Sequence, residues 1–253
     1  MQLELSIDNV GFGTAVDDIV VPPKLRERFA SGVEVFDMAL GGKGLTPSVC
    51  MLFTGTPGAG KTSMLLSVAS GLATNGNLVV YNSAEESPYQ VRLVYDRLGL
   101  KGKVCLGQET SAPELLHKFR KLSEKPENAG KHCILIVDSL QAITDGKFST
   151  GRITCYTAER VLEQLTAYAK ETYCNVIVVG QVNKSGAAAG TNKLAHMVDA
   201  RIHMNVEDNE KSDYYGCRHL VTVKNRFGGG MFSSYLRLNA DGFVEVARNV
   251  DDF

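Results

Sequence analysis

Residues 55–62 read Gly55-Thr56-Pro57-Gly58-Ala59-Gly60-Lys61-Thr62: a glycine, four free positions, then glycine, lysine and a hydroxyl residue. The apolar run Val49-Cys50-Met51-Leu52-Phe53 precedes it, and Met64, Leu65, Leu66, Val68, Ala69 and Leu72 follow at helical spacing. Strand, loop and helix in that order form the setting in which such a loop binds phosphate. Gly55, Gly58 and Gly60 let the backbone curl until successive N–H groups converge, and the helix starting near Lys61 adds its positive dipole end. In this reading Lys61 reaches the β- and γ-phosphates and the Thr62 hydroxyl holds Mg²⁺, with Thr56, Pro57, Ala59 and Ser63 completing the nucleotide-contacting set. An ordinary glycine turn is the competing reading. The four fixed positions, however, coincide by chance only roughly once in a hundred chains of this length.

Around that loop the chain has 253 residues, 44% of them hydrophobic, enough for one α/β domain with a full core. Residues 1–23 end in Pro22-Pro23 and read as an arm or linker ahead of a domain spanning 24–253. No apolar run approaches the roughly eighteen residues of a membrane span, and the N-terminus lacks a basic start followed by an apolar block, so a cytoplasmic location is expected. Six cysteines contain no Cys-x-x-Cys pair and suggest neither zinc nor a disulfide framework. Lys and Arg number 27 against 28 Asp and Glu, so contacts to nucleic acid would have to be concentrated on loops or created by assembly.

Two further strand ends carry acids. Asn77–Ser83 is a buried strand followed by Ala84-Glu85-Glu86-Ser87, which puts Glu85 where parallel sheets present catalytic groups. A carboxylate there can orient and deprotonate the water that attacks a γ-phosphate. The alternative is that Glu85 and Glu86 are acids favoured by the dipole at the start of helix 87–98. Cys133-Ile134-Leu135-Ile136-Val137-Asp138 ends in an acid suited to Mg²⁺, directly or through water, beside Thr62. Ser139 rather than Glu follows, which leaves Glu85 as the better base.

A loop at 145–156 precedes an amphipathic helix over about 157–172, and strand 175–180 carries Gln181 at its end, placed to bond the γ-phosphate or the attacking water. The following stretch VNKSGAAAGTNK reads as a loop. Lys184 and Lys193 there, with Lys147 and Arg152 of the earlier loop, are candidate DNA phosphate contacts; the plain alternative is solvated loop cations. From about residue 199 the pattern turns to alternating strands with turn signals, expected to extend the sheet antiparallel. Between two of them Lys224-Asn225-Arg226-Phe227-Gly228 offers Lys224 and Arg226, either as surface charge or as cations projecting into a neighbouring subunit's nucleotide site.

The string KNRFG at 224–228, with YNSAEES at 81–87, VDSLQ at 137–141 and VGQVNKSG…AGTNKLAHMVDA at 179–200, resembles the ATPase core of the bacterial RadA (Sms) family. These are RecA-like recombination and repair proteins related to DnaB-type helicases, and the similarity runs in order over about 24–246. The resemblance implies an α/β, RecA-like P-loop ATPase core: a mainly parallel central sheet flanked by helices, with antiparallel C-terminal strands. It also implies ATP and Mg²⁺ as cofactors, single-stranded DNA as partner, and a homo-oligomeric, hexameric ring with ATP at its interfaces. Lys61, Thr62, Asp138 and Glu85 take the roles given above, Lys224 and Arg226 act in trans, and the loops after Ser139 and Gln181 line the DNA channel. Two features depart from the family: its N-terminal four-cysteine module and C-terminal Lon-like domain have no counterpart in these residues, and Gln181 stands where RadA has His. A compact form of this kind would suit a phage- or mobile-element-encoded factor. The function expected is a DNA-dependent ATPase in recombination or repair. A KaiC-like signalling or scaffold ATPase without DNA binding, or a recombination mediator with negligible turnover, are the alternatives.

Overall fold

A computed structural model of the chain describes residues 10–148, 151–154, 156–181, 191–228 and 232–250. The strand that delivers the phosphate loop, β1 (Cys50–Gly55), lies near the middle of a nine-stranded sheet. Its partners in the parallel part are β2 (Leu78–Ser83), β3 (Cys105–Gly107), β4 (Cys133–Asp138), β5 (Asn175–Gln181) and β6 (Ala200–Val206). β7 (Arg218–Asn225), β8 (Phe232–Asn239) and β9 (Gly242–Val250) continue it antiparallel, giving the order β3-β2-β4-β5-β1-β6-β7-β8-β9. This is the mainly parallel sheet with antiparallel C-terminal strands that the sequence predicts.

Both faces of the parallel part are covered, which is why its strands read as unbroken apolar runs rather than alternating ones. Met51 and Phe53 of β1 pack with Ile134, Ile136, Ile177 and Val179 under α2 (Lys61–Thr74) and α1 (Glu34–Ala39). Cys50 and Leu52 face the other way, with Leu135, Val137, Val176 and Val178, under α4 (Ala112–Ser123) and α5 (Thr157–Thr172). Helix α2 is buried nearly all round because both the sheet and the 30–37 segment press on it; a Cβ at Gly71 would lie 1.7 Å from the Ser31 carbonyl oxygen. Helix α3 (Pro88–Arg97) starts where Ser87 and Gln90 form a reciprocal capping box with Pro88 in the first turn. Glu85 and Glu86 therefore precede that helix rather than lying in its first turn.

Three boundaries differ from the sequence reading. Thr191–Met197 forms a short helix, α6, where the glycine-rich pattern predicts loop through Lys193, because Leu194 and Val198 bury against the α5 side of the sheet. β7 continues through Asn225, so Lys224 lies in a strand. β9 runs on to Val250, beyond the Phe243–Val246 strand that the alternation in the sequence suggests. Ahead of α1, Phe12, Val16 and Val20 are exposed. Among the described residues no helix is long and apolar enough to cross a membrane.

His132, just before β4, is 4% exposed, stacks on Phe29 with ring centroids 3.8 Å apart, and bonds Asn175 Oδ1 through Nε2 at 2.7 Å. Burial pushes its pKa down to about 4 from the usual 6.5. The unfolded chain therefore binds a proton between these values that the folded chain excludes, so stability is lost as pH falls from above 6.5 toward 4. By linkage the loss between pH 7.5 and 5 is about 2 kcal/mol, or roughly 4–8 °C in Tm for a domain of this size. Thermal melts of the native chain and of His132→Gln across that range should show a drop that is smaller in the second by about this amount, the remainder coming from His203 and His219, whose imidazoles burial also pushes down.

Candidate nucleotide-binding site

The loop of 55–60 is shaped by backbone that other residues do not adopt readily. Gly58 and Gly60 have φ of +76° and +96°, and a Cβ at Gly55 would lie 2.1 Å from the Met204 carbonyl oxygen of β6. β6 supports the loop from beneath: Asn205 Oδ1 accepts from Thr56 N at 3.4 Å, and His203 Nδ1 lies 2.8 Å from Thr54 Oγ1. The β8–β9 turn leans over it, with Phe243 Cζ 2.9 Å from where a Cβ at Gly60 would be. Lys61 Nζ folds back to donate to the Gly55 and Thr56 carbonyls, both at 2.9 Å.

Around this loop lies a cleft of about 330 Å³ whose lining includes Gly58, Lys61, Thr62, Glu85, Glu86 and Asp138. Thr62 Oγ1 donates to Asp138 Oδ2 at 3.1 Å, and the Tyr81 hydroxyl donates to the same oxygen at 2.5 Å. Glu85 Oε1 accepts a short hydrogen bond from Ser139 Oγ, whose residue is fully buried. Burial pushes the Asp138 carboxyl up, opposed by the Tyr81 and Thr62 hydrogen bonds. Burial also raises Glu86, with the charges of Asp138 and Glu85 adding to it. Burial lowers the Lys61 ammonium, against the pull of Asp138 and Glu85. A cationic, glycine-walled cradle beside a hydroxyl and a carboxylate 3.1 Å apart suits a polyphosphate carrying a hard, oxygen-seeking divalent ion.

The sheet thus brings the loop, Thr62, Glu85 and Asp138 together. Gln181 closes β5 directly beside Gly55 in register. Lys224 and Arg226 are elsewhere. Lys224 Nζ donates to the Ala195 and His196 carbonyls at 3.0 and 3.4 Å, and Arg226 pairs with Asp199. Burial, with the neighbouring Arg226 charge, lowers Lys224. Of the cations read as DNA contacts, Lys193 makes an exposed ion pair with Glu159 at 2.5 Å, Lys147 Nζ lies 5.8 Å over the Phe148 ring, and Arg152 is exposed. Lys184 lies outside the described residues.

Sequence reasoning missed Tyr81 and Ser139, which orient Asp138 and Glu85. Their signal is faint: each lies within four residues of an acid at a strand end, but only the pairing of β2 with β4, Ser83 opposite Asp138, brings them into reach.

A family described as "ATPase: KaiC" matches residues 29–235. Among curated proteins, the DNA repair protein RadA of Aquifex aeolicus is 32% identical over 221 residues, 87% of this chain and 46% of its own length. The chain spans about half the length of the curated RadA proteins it matches. In fold it is similar to a KaiC-like protein of Pyrococcus horikoshii, with a TM-score of 0.69 at 19% identity over 87% of this chain and 99% of that one. It is also similar to a DnaB-like replicative helicase, with a TM-score of 0.72 at 15% identity over 88% and 64% respectively. Matched over most of its length, and with the phosphate loop and the two strand-end acids in one cleft, the chain belongs to the KaiC-type family of P-loop ATPases and resembles RadA in sequence.

Proposed function

We propose that this chain is a DNA-dependent ATPase that acts on single-stranded DNA in homologous recombination or repair, as a helicase or branch-migration motor, in the cytoplasm. The observation that carries the reading is the cleft joining Lys61, Thr62, Glu85 and Asp138 in a chain 32% identical to RadA over 87% of its length. Residues 24–253 form the ATPase domain and 1–23 an arm. Lys61 and the loop amides would hold the phosphates of ATP, and Thr62 and Asp138 would hold Mg²⁺, which would supply positive charge against that developing on the transferred phosphoryl group. Glu85, oriented by Ser139, accepts the proton of the attacking water.

Arg226 serves a neighbouring copy in a hexameric ring. Distance supports this. Arg226 is tied to Asp199, whose carboxylate bonds Cys50 N at the start of β1, whereas the loop begins at the other end of β1. At about 3.3 Å per strand residue those ends are roughly 16 Å apart, beyond the reach of an arginine to its own phosphates. Lys224, engaged on α6 carbonyls, supports Arg226 rather than reaching across. Copies of Lys147, Arg152, Lys184 and Lys193 facing one axis would give a chain of net charge −1 a basic channel.

The test is steady-state ATP hydrolysis at low salt, with and without single-stranded DNA, across protein concentrations that span assembly. Stimulation of about tenfold or more, lost as salt rises, is expected. Hydrolysis indifferent to DNA in an oligomeric protein would overturn the reading in favour of a KaiC-like signalling or scaffold ATPase.

A further inference from the structure

Lys224 is held by α6 and Arg226 by a residue of the segment that joins α6 to β6. Lys224 is bonded to the last carbonyls of α6, and Arg226 is held twice by one residue. Its N–H donates to the Asp199 carbonyl at 3.1 Å, and its Nη1 to Asp199 Oδ1 at 3.2 Å. The Asp199 side chain is 3% exposed, and its other oxygen accepts from Cys50 N at 3.1 Å and Lys170 Nζ at 2.6 Å. Lys170 in turn donates to the Ser48 carbonyl at 2.8 Å. The carboxylate is therefore pinned to β1 and α5, the strand and helix that frame the core.

We propose that Asp199 is the positioning residue for Arg226: it fixes both the backbone and one edge of the guanidinium so that the rest points toward the adjacent copy's nucleotide. The inference rests on the in-trans role given to Arg226 above. Arg226 is 53% exposed and, left to itself, would sample many rotamers. A buried acceptor that cannot follow the guanidinium narrows that set before the neighbour arrives. Because Lys170 occupies the second oxygen, Asp199 takes one of the five guanidinium donors rather than closing a two-bond fork, which keeps the arginine from being sequestered in its own chain. A misplacement of about 1 Å in such a group costs on the order of 10²-fold in rate.

Asp199→Asn keeps the shape and an acceptor oxygen but removes the charge. In the assembled protein it is expected to lower kcat by about 10- to 100-fold with KM for ATP changed less than about threefold. In an Arg226→Ala background the same change should cost nothing further in kcat; an additive loss would mean that Asp199 serves only the fold and would overturn the inference. Mixing supplies a readout that a structural role would not move. Asp199→Asn chains keep an intact phosphate loop, and Lys61→Ala chains keep a properly held Arg226. Mixed assemblies should therefore recover activity above the sum of the two alone, and failure to recover overturns the inference. If Asp199→Asn does not fold, Asp199→Glu keeps the buried charge for Lys170 yet shifts the contact, and native kcat in it would be equally fatal. An Arg226→Ala protein with native kcat would remove the underlying reading; strong dependence on Arg226 with none on Asp199 would remove this inference alone.

Discussion

Replacing Arg226 by alanine is expected to lower kcat for ATP hydrolysis by about 10³- to 10⁵-fold in the assembled protein, the range lost when an arginine that stabilises phosphoryl-transfer charge is withdrawn. Separated subunits should bind ATP with near-native affinity, because Arg226 is bound to Asp199 at the far end of β1 from the loop. The fold should survive the change. Asp199 keeps Lys170 and the Cys50 amide as partners, so no buried charge is stranded. The measurement is kcat above the assembly concentration beside ATP affinity below it. A variant that hydrolyses ATP within tenfold of native would sink the in-trans role.

Glu85→Gln is expected to cost about 10²- to 10⁴-fold in kcat while leaving ATP binding intact. Glutamine keeps an oxygen to accept the Ser139 hydroxyl bond and so preserves the local geometry, but it cannot take a proton. The effect thus isolates proton transfer from packing. Single-turnover hydrolysis on preassembled protein reads it directly. Retention of more than about a tenth of native kcat would transfer the role to Glu86. That residue lies in the same cleft, with its carboxyl raised by burial and by the charges of Asp138 and Glu85, and Glu86→Gln would then be the inactive variant.

The elements most readable from sequence were those buried on two sides. β1, β4 and β5 are continuous apolar runs, α2 and α5 carry buried residues at helical spacing, and the glycines at 58 and 60 mark backbone that only glycine adopts easily. The acids at 85 and 138 were readable because a strand end in a parallel sheet is itself a position with meaning. What was not readable depends on register between strands distant in sequence. Tyr81 reaches Asp138 only because β2 and β4 pair with Ser83 opposite Asp138, and no local pattern encodes that offset. Asp199 stands in the apolar string Val198-Asp199-Ala200 as a lone acid, an oddity whose partners at 50, 170 and 226 come from three other segments. α6 was hidden because the glycine- and alanine-rich residues before it look like loop, while its burial rests on Leu194 within it and Val198 just past its end.

The middle position of β1 also bears on how the chain comes to be folded during synthesis. Its two sheet neighbours are β5 and β6, and the bond from Cys50 to Asp199 spans 149 residues. A ribosome adding about 5–20 residues per second would need roughly 7–30 s to supply that partner after Cys50 is made. Until β5 is made, late in that interval, one of the most apolar strands of the protein has no hydrogen-bonding neighbour on either side. β2 and β4 can pair earlier, so the nascent chain would hold a partial sheet with a gap where its centre belongs. The stretch on which nucleotide binding depends is therefore among the last to find its place and the most exposed to mispairing until it does.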